Sequence, residues 1–214
     1  MPVATRNYDD SCGIARALDL VGDRWTLLVV RELLLGPKRF TDLQAGLGRI
    51  GPDVLTQRLR DLRHAGLVER EGQRTYRLSD LGRQLQPVLL ALGRFGSALP
   101  LPDEPAPLGT DATGVALLTM FDPLRAGRLE GRYELRLDAG AGAEPFAVTV
   151  ADGRLQIVRG SVDRPLTRLT TSTTALVAVL WHGRDLDEAV RAGDLRIDGE
   201  LEEVRRLLSL FSGR

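Results

Sequence analysis

Thr56, Gln57 and Arg60 lie within residues 52–65, a stretch opened by Pro52 and lined on its other side by Leu55, Leu59 and Leu62. At ~100° per residue the three polar residues, with Asp53 and His64, fall opposite that apolar stripe. Their chemistry is recognition. Gln reaches adenine and Arg reaches guanine with paired hydrogen bonds, and a helix N-terminus favours phosphate. A solvated helix face carries the same residue types, so a second signal has to decide. It comes from residues 67–78, where Arg74 stands at a tight turn and Arg70 and Arg77 on the segments flanking it. Cations so placed suit a wing that touches the nucleic-acid backbone or a minor groove. Residues 36–77 hold nine basic and five acidic groups, so the positive excess of the first half collects here.

Other chemistries find little support. The two histidines, His64 and His182, are far apart, and there is no Cys or His pair at metal-ligand spacing, no Gly-rich phosphate loop and no Gly-x-Ser-x-Gly elbow. The expectation is a non-enzyme without metal or cofactor. Asp185, Asp187 and Glu188 are better explained as the acidic first turn of a helix than as ion ligands. The single cysteine, Cys12, cannot close an internal disulfide. It is either a small buried residue or, with its thiol acidified at a helix N-terminus, a candidate redox sensor.

These residues need elements to carry them. The chain has 214 residues, 43% hydrophobic and 27% charged, which excludes a disordered polymer. Its 29 basic and 29 acidic groups cancel only overall: residues 1–98 carry 15 basic against 11 acidic, and residues 99–214 carry 14 against 18. The longest apolar run, 175–181, is far short of the ~20 residues of a membrane span. With no secretory pattern at the start, the expectation is a cytoplasmic chain without membrane contact.

Helical spacing predicts helices at 14–21, 25–35, 42–47 with Thr41 as cap, 52–65, and 80–99 capped by Ser79 and interrupted at Pro87. Alternation predicts a hairpin from 67–70 and 75–78. Pro100, Pro102, Pro105 and Pro107 then mark 99–111 as a linker between domains at 1–98 and 112–214. In the second, helices are expected at 112–121, 173–182, 186–192 and 201–211, and strands at 128–138, 146–151, 155–159, 166–170 and 194–198. Asp152-Gly153 supplies a hairpin turn. The fold class is α+β: an N-terminal winged helix-turn-helix, mostly α with a β-hairpin wing, then an α+β domain with helices on a mostly antiparallel sheet.

Several motifs in one order carry a resemblance. Cys12-Gly13-Ile14, AlaLeuAspLeuValGlyAspArgTrpThrLeu at 17–27, ArgGluLeuLeuLeuGly at 31–36, ArgPheThrAspLeu at 39–43, ValLeuThrGlnArgLeuArgAspLeu at 54–62 and AlaGlyLeuVal at 65–68 resemble the HxlR-type winged helix-turn-helix regulators. The resemblance implies a dimeric, sequence-specific transcription factor on an inverted-repeat operator in double-stranded DNA, with dimer contacts from the first and last helices of the domain. The DNA-contacting set it implies is Arg39, Thr41, Pro52, Thr56, Gln57, Arg60, Arg70, Arg74 and Arg77. Two positions depart: Gly51 stands where the family often has a Ser cap, and Asp53 where a basic or amide residue is usual. Cys12 matches a cysteine with which some such regulators sense oxidants.

The second half resembles the sterol carrier protein type 2-like fold through the strand near Tyr133, the apolar segment 176–181 and ArgAlaGlyAspLeuArgIleAspGlyGluLeu at 191–201. That resemblance implies a pocket for an apolar effector, with Leu176, Leu180 and Trp181 as candidate lining; plain core packing explains the same stripe. The competing function is a lipid or small-molecule binding protein that uses its winged helix for protein contacts.

Overall fold

Four segments of helical period precede the change to alternation near Leu67. In the computed structural model, which describes residues 8–100 and 106–211, they are α1 (Gly13–Val21), α2 (Thr26–Leu33), α3 (Phe40–Leu47) and α4 (Pro52–His64). Gly48, at φ 62°, ends α3 in the left-handed region. Ile50 then turns into the core, and Pro52 starts α4 with its ring φ already set for a helix. The hairpin follows as β2 (Val68–Glu71) and β3 (Thr75–Leu78). A strand the sequence reading missed, β1 (Lys38–Arg39), pairs antiparallel with β3, giving the order β1-β3-β2.

Two local expectations change. The cap of α3 is Arg39, not Thr41: Arg39 holds the extended cap conformation and its N–H donates to the Asp42 carboxylate at 3.3 Å, while Thr41 lies inside the first turn. The single helix expected after Ser79 is two, α5 (Asp80–Arg83) and α6 (Gln86–Ser97). Pro87 does not interrupt a helix. It sits in the first turn of α6, where its missing N–H costs nothing.

The chain divides into two units between Leu89 and Leu90, within α6. In the first, Val29, Val30, Leu33, Leu43, Leu55, Leu59, Leu62 and Leu78 form one core. The second holds α7 (Thr110–Met120), α8 (Pro123–Ala126), β4 (Gly131–Asp138), β5 (Ala143–Ala151), β6 (Arg154–Arg159), β7 (Thr167–Ser172), α9 (Thr173–Trp181), α10 (Leu186–Arg191), β8 (Leu195–Gly199) and α11 (Leu201–Ser209). No proline follows Pro107 in the stretch expected as linker, and α7 begins inside it at Thr110; Pro102 and Pro105 lie outside the described residues.

The five strands run in the order β6-β5-β4-β7-β8, antiparallel except for the parallel pair β4 and β7. The fold class is α+β, and the sheet is mostly antiparallel. Period-two alternation on β4 buries Tyr133, Leu135 and Leu137 on one face and sets Arg132, Glu134 and Arg136 on the other. Asp152 and Gly153 both have positive φ, 51° and 67°, the signature of the tight turn whose twist matches its strands. Among the described residues no helix is long and apolar enough to cross a membrane.

Candidate functional site

In α4 the apolar stripe faces inward: Leu55, Leu59 and Leu62 are at most 2% exposed. Pro52 and Arg60 are exposed, and Thr56 and Gln57 half-buried. The polar residues differ in what they already hold. The Thr56 hydroxyl donates to the Pro52 carbonyl at 2.8 Å, and the Gln57 amide donates to the Asp61 carboxylate at 2.7 Å. That bond uses one of the two amide hydrogens and leaves the other, with the amide oxygen, for a new partner. Arg60 carries no ion pair among the described residues.

Cross-strand register sorts the wing arginines. Arg77 stands opposite Glu69 and pairs with it at 2.7 Å. Arg70 stands opposite Tyr76, with its guanidinium 5.5 Å from the ring centre and its Nη2 donating to the phenol oxygen at 3.3 Å. Arg74, exposed at the turn, is free of such partners among the described residues. Arg39 arrives beside it because β1 places Arg39 opposite Thr75.

What turns Arg39 outward is its neighbour. Lys38 points into the core and meets the carboxylate of Glu32 at 2.8 Å; the two side chains are 5% and 2% exposed, and Arg31 shares the same carboxylate. A Cβ at Gly46 would overlap that carboxylate, so glycine there keeps α3 close against it. Sequence reading missed this pair. Its signal was a Glu on an apolar helix and a Lys beyond the Gly36-Pro37 break. It also missed Arg49 and Arg63, exposed cations on the turn before α4 and in its last turn. Arg63 stands three residues beyond Arg60, and Arg49 just ahead of the helix start.

Cys12 is exposed, which overturns the buried reading. It sits at the N-cap of α1, where the backbone N–H groups of Ile14 and then Ala15 stabilise the thiolate and hold its pKa below the usual thiol value.

The second unit places its candidate residues differently from expectation. Leu176 is a core residue, 0% exposed. Leu180 and Trp181 are half-buried, and the Trp181 indole N–H donates to the Phe211 carbonyl at 2.9 Å. An apolar stripe at helical spacing records burial, and burial against protein looks the same in sequence as burial against a ligand. None of the three lines the open cleft of about 690 Å³ that lies elsewhere in this unit, bordered by Arg125, Arg128, Leu129, Leu166, Glu203 and Arg206 among others. At its edge the Tyr133 hydroxyl donates to Glu203 at 3.4 Å. Burial and then the Glu203 carboxylate push the Tyr133 phenol up to about 12.

With this geometry in place, the HxlR-like helix-turn-helix family profile matches residues 20–102, and the SCP-2 sterol transfer family profile matches residues 122–212. An HTH-type transcriptional regulator of Mycobacterium tuberculosis is 40% identical over 43% of this chain and 62% of its own length. The HTH-type regulator YvaP of Bacillus subtilis is 32% identical over 42% of this chain and 91% of its own. The chain belongs to the HxlR-like helix-turn-helix family. It spans about 62% of the mycobacterial relative's length. Quinone-bound YodB from B. subtilis is a solved structure 30% identical over 40% of this chain and 97% of that one, at a TM-score of 0.38. Within the HxlR-like unit, the uncommitted cations of the helix-turn-helix and wing are Arg39, Arg49, Arg60, Arg63 and Arg74 among the described residues.

Proposed function

We propose that this HxlR-like chain is a transcriptional regulator that binds double-stranded DNA, with α4 in the major groove and the β2-β3 wing on the backbone. One observation carries the reading: Arg39, Arg60 and Arg74 are exposed and unpaired at the outward helix and the wing, while nearby Arg70 and Arg77 are held within the fold. Unpaired guanidiniums lose no ion pair when they meet phosphate or a base edge.

The regulator acts as a homodimer on an inverted repeat, with half-sites roughly 34 Å apart. Support comes from α6, where no residue is buried and Val88, Leu92 and Phe95 are 47 to 67% exposed at spacings of four and three. Such a stripe suits a second helix. Ile14 and Leu18 present a similar exposed pair on α1. The second unit takes an apolar effector, supported by the SCP-2 profile match and by a cleft in which Leu129, Leu166 and Leu210 stand among six charged residues, a lining for an apolar chain with a charged end. Cys12 senses oxidants, supported by its exposure and its acidified thiol.

A gel shift of the full chain on its own promoter region, against a scrambled duplex at the same salt, tests the DNA reading. Retention of the promoter duplex at concentrations that leave the scrambled one free is expected. Equal retention of both, or of neither, overturns it.

A further inference from the structure

The sheet of the second unit buries one face under helices, and the other face holds an arrangement of charge that neither the DNA nor the effector reading uses. Glu134 points to this outer face yet is only 1% exposed. It is closed in by three donors: Arg136 Nε at 2.8 Å, Arg168 Nε at 2.7 Å and the Val162 amide at 2.9 Å. Burial alone would raise its pKa, but these donors outweigh it and hold the carboxyl down to about 2, so the centre stays charged.

The consequence lies in the two arginines. Each gives Glu134 its Nε and is fixed by that bond, 40% and 32% exposed. Arg168 commits Nη1 to Asp198 at 2.6 Å; its Nη2 and both Nη groups of Arg136 are unused among the described residues. Register then aligns a row. Arg136 stands beside Thr170, and Thr170 beside Arg196, one residue on each of three adjacent strands. Strands ~4.8 Å apart put the two arginine backbones ~10 Å from each other with a threonine between them. Arg196 is exposed and unpaired among the described residues. On β4, β7 and β8 this face carries Arg132, Arg136, Arg168 and Arg196 against Glu134, Asp138 and Asp198, a positive excess that favours an anion.

We propose that Arg136, Thr170 and Arg196, backed by Arg168, form a binding site for a phosphate monoester on the outer face of the five-stranded sheet. Guanidinium forks suit its planar oxygen pairs, and pinning by Glu134 lowers the conformational entropy lost on binding. The row lies wholly within the second unit.

Calorimetric titration of the full chain with phenyl phosphate, with inorganic phosphate alongside, at constant ionic strength tests the proposal. Wild type should bind phenyl phosphate saturably at one per chain, and affinity should fall below pH ~6 as the dianion takes up a proton. Arg196→Ala, a change at an exposed residue, should weaken binding at least tenfold, Thr170→Val several-fold, and Arg196→Lys should restore part of the loss. Arg60→Ala should bind phenyl phosphate as wild type does, so failure here is distinguishable from failure of the DNA reading. No heat beyond a sodium chloride control, or unchanged affinity in Arg196→Ala, would overturn the site. Equal binding of the diester dimethyl phosphate, with loss of random-duplex affinity in Arg196→Ala, would assign the face to nucleic-acid backbone and overturn the monoester.

Discussion

Arg60 and Gln57 occupy one face of α4 but start from different states, and that difference is measurable. Arg60→Ala should weaken promoter binding by about 1 to 3 kcal/mol and leave random duplex nearly unaffected. Gln57→Ala should cost less, because it removes a neutral amide, one of whose hydrogens is already held by Asp61, and not a charged guanidinium. Arg74→Ala should weaken both duplexes and lower the salt slope by about one for each phosphate that is no longer neutralised. Equal losses across promoter and random DNA for Arg60→Ala would remove base reading from α4. In the second unit the pH dependence follows from two buried groups. Tyr133 has a folded pKa of about 12, above the ordinary ~10, so the fold favours the neutral phenol. That stabilisation is complete below pH ~10 and is lost as pH rises toward 12. Tyr133→Phe should remove a late-titrating phenol from the tyrosinate absorbance. Glu134 runs the opposite way. Its folded pKa of about 2 gives stability that is present above pH ~4.3 and lost as pH falls through 2, so Glu134→Gln should flatten acid unfolding in that window.

At the scale of elements, α6 is the one whose sequence and surroundings disagree. It is 12 residues long and apolar enough to seek burial, yet it buries none of them. A helix of that length is marginal in water without packing on its apolar face. Phe95→Ser together with Leu92→Ser should turn the dimer into a monomer by light scattering at micromolar concentration. Leu124→Ser, at a residue 91% exposed on α8, should leave the dimer intact and serves as the control. A dimer surviving the double change would place the interface elsewhere. The wing shows the complementary case: β1 is only two residues long, yet through the buried Lys38 and Glu32 pair it anchors the hairpin to α2 and aims Arg39 outward. Breaking a buried pair by removing one partner costs ~3 to 5 kcal/mol. Lys38→Met should therefore lower the melting temperature more than Arg39→Ala, which should weaken DNA binding with little effect on melting.

For the whole molecule, the two units have separate chemistry, and regulation requires that they be coupled. An apolar ligand that enters the cleft should raise the melting temperature of the full chain, by ~2.7 kcal/mol of stabilisation at a hundredfold excess over its dissociation constant. Leu166→Asp, at a half-exposed cleft residue, should abolish the shift. Effector sensing demands more, because a ligand with equal affinity for DNA-competent and incompetent states shifts no population. Promoter affinity must change when a fatty acid that stabilises the chain is present. Stabilisation with unchanged promoter affinity would leave a binding domain and remove the sensor.

Most of the elements were legible in the chain alone. Leucines at helical spacing, Pro52 after a glycine turn, alternation on β4 and the Asp152-Gly153 turn each depend on near neighbours, so local pattern carries them. The outward face of α4 was legible too, since a helix with one apolar stripe can place Arg60 only on the other side. What those residues hold came from the assembled fold. Arg70, Arg74 and Arg77 are alike in sequence, and only cross-strand register makes one a stacked residue, one a free cation and one an ion-pair partner. Leu176 read as core more readily than as pocket, and the assembled unit buries it completely. The row through Arg136, Thr170 and Arg196 joins residues up to 60 positions apart in the chain, and no short-range pattern records it. Local periodicity fixes which way a side chain faces; only the pairing of distant strands fixes what it meets there.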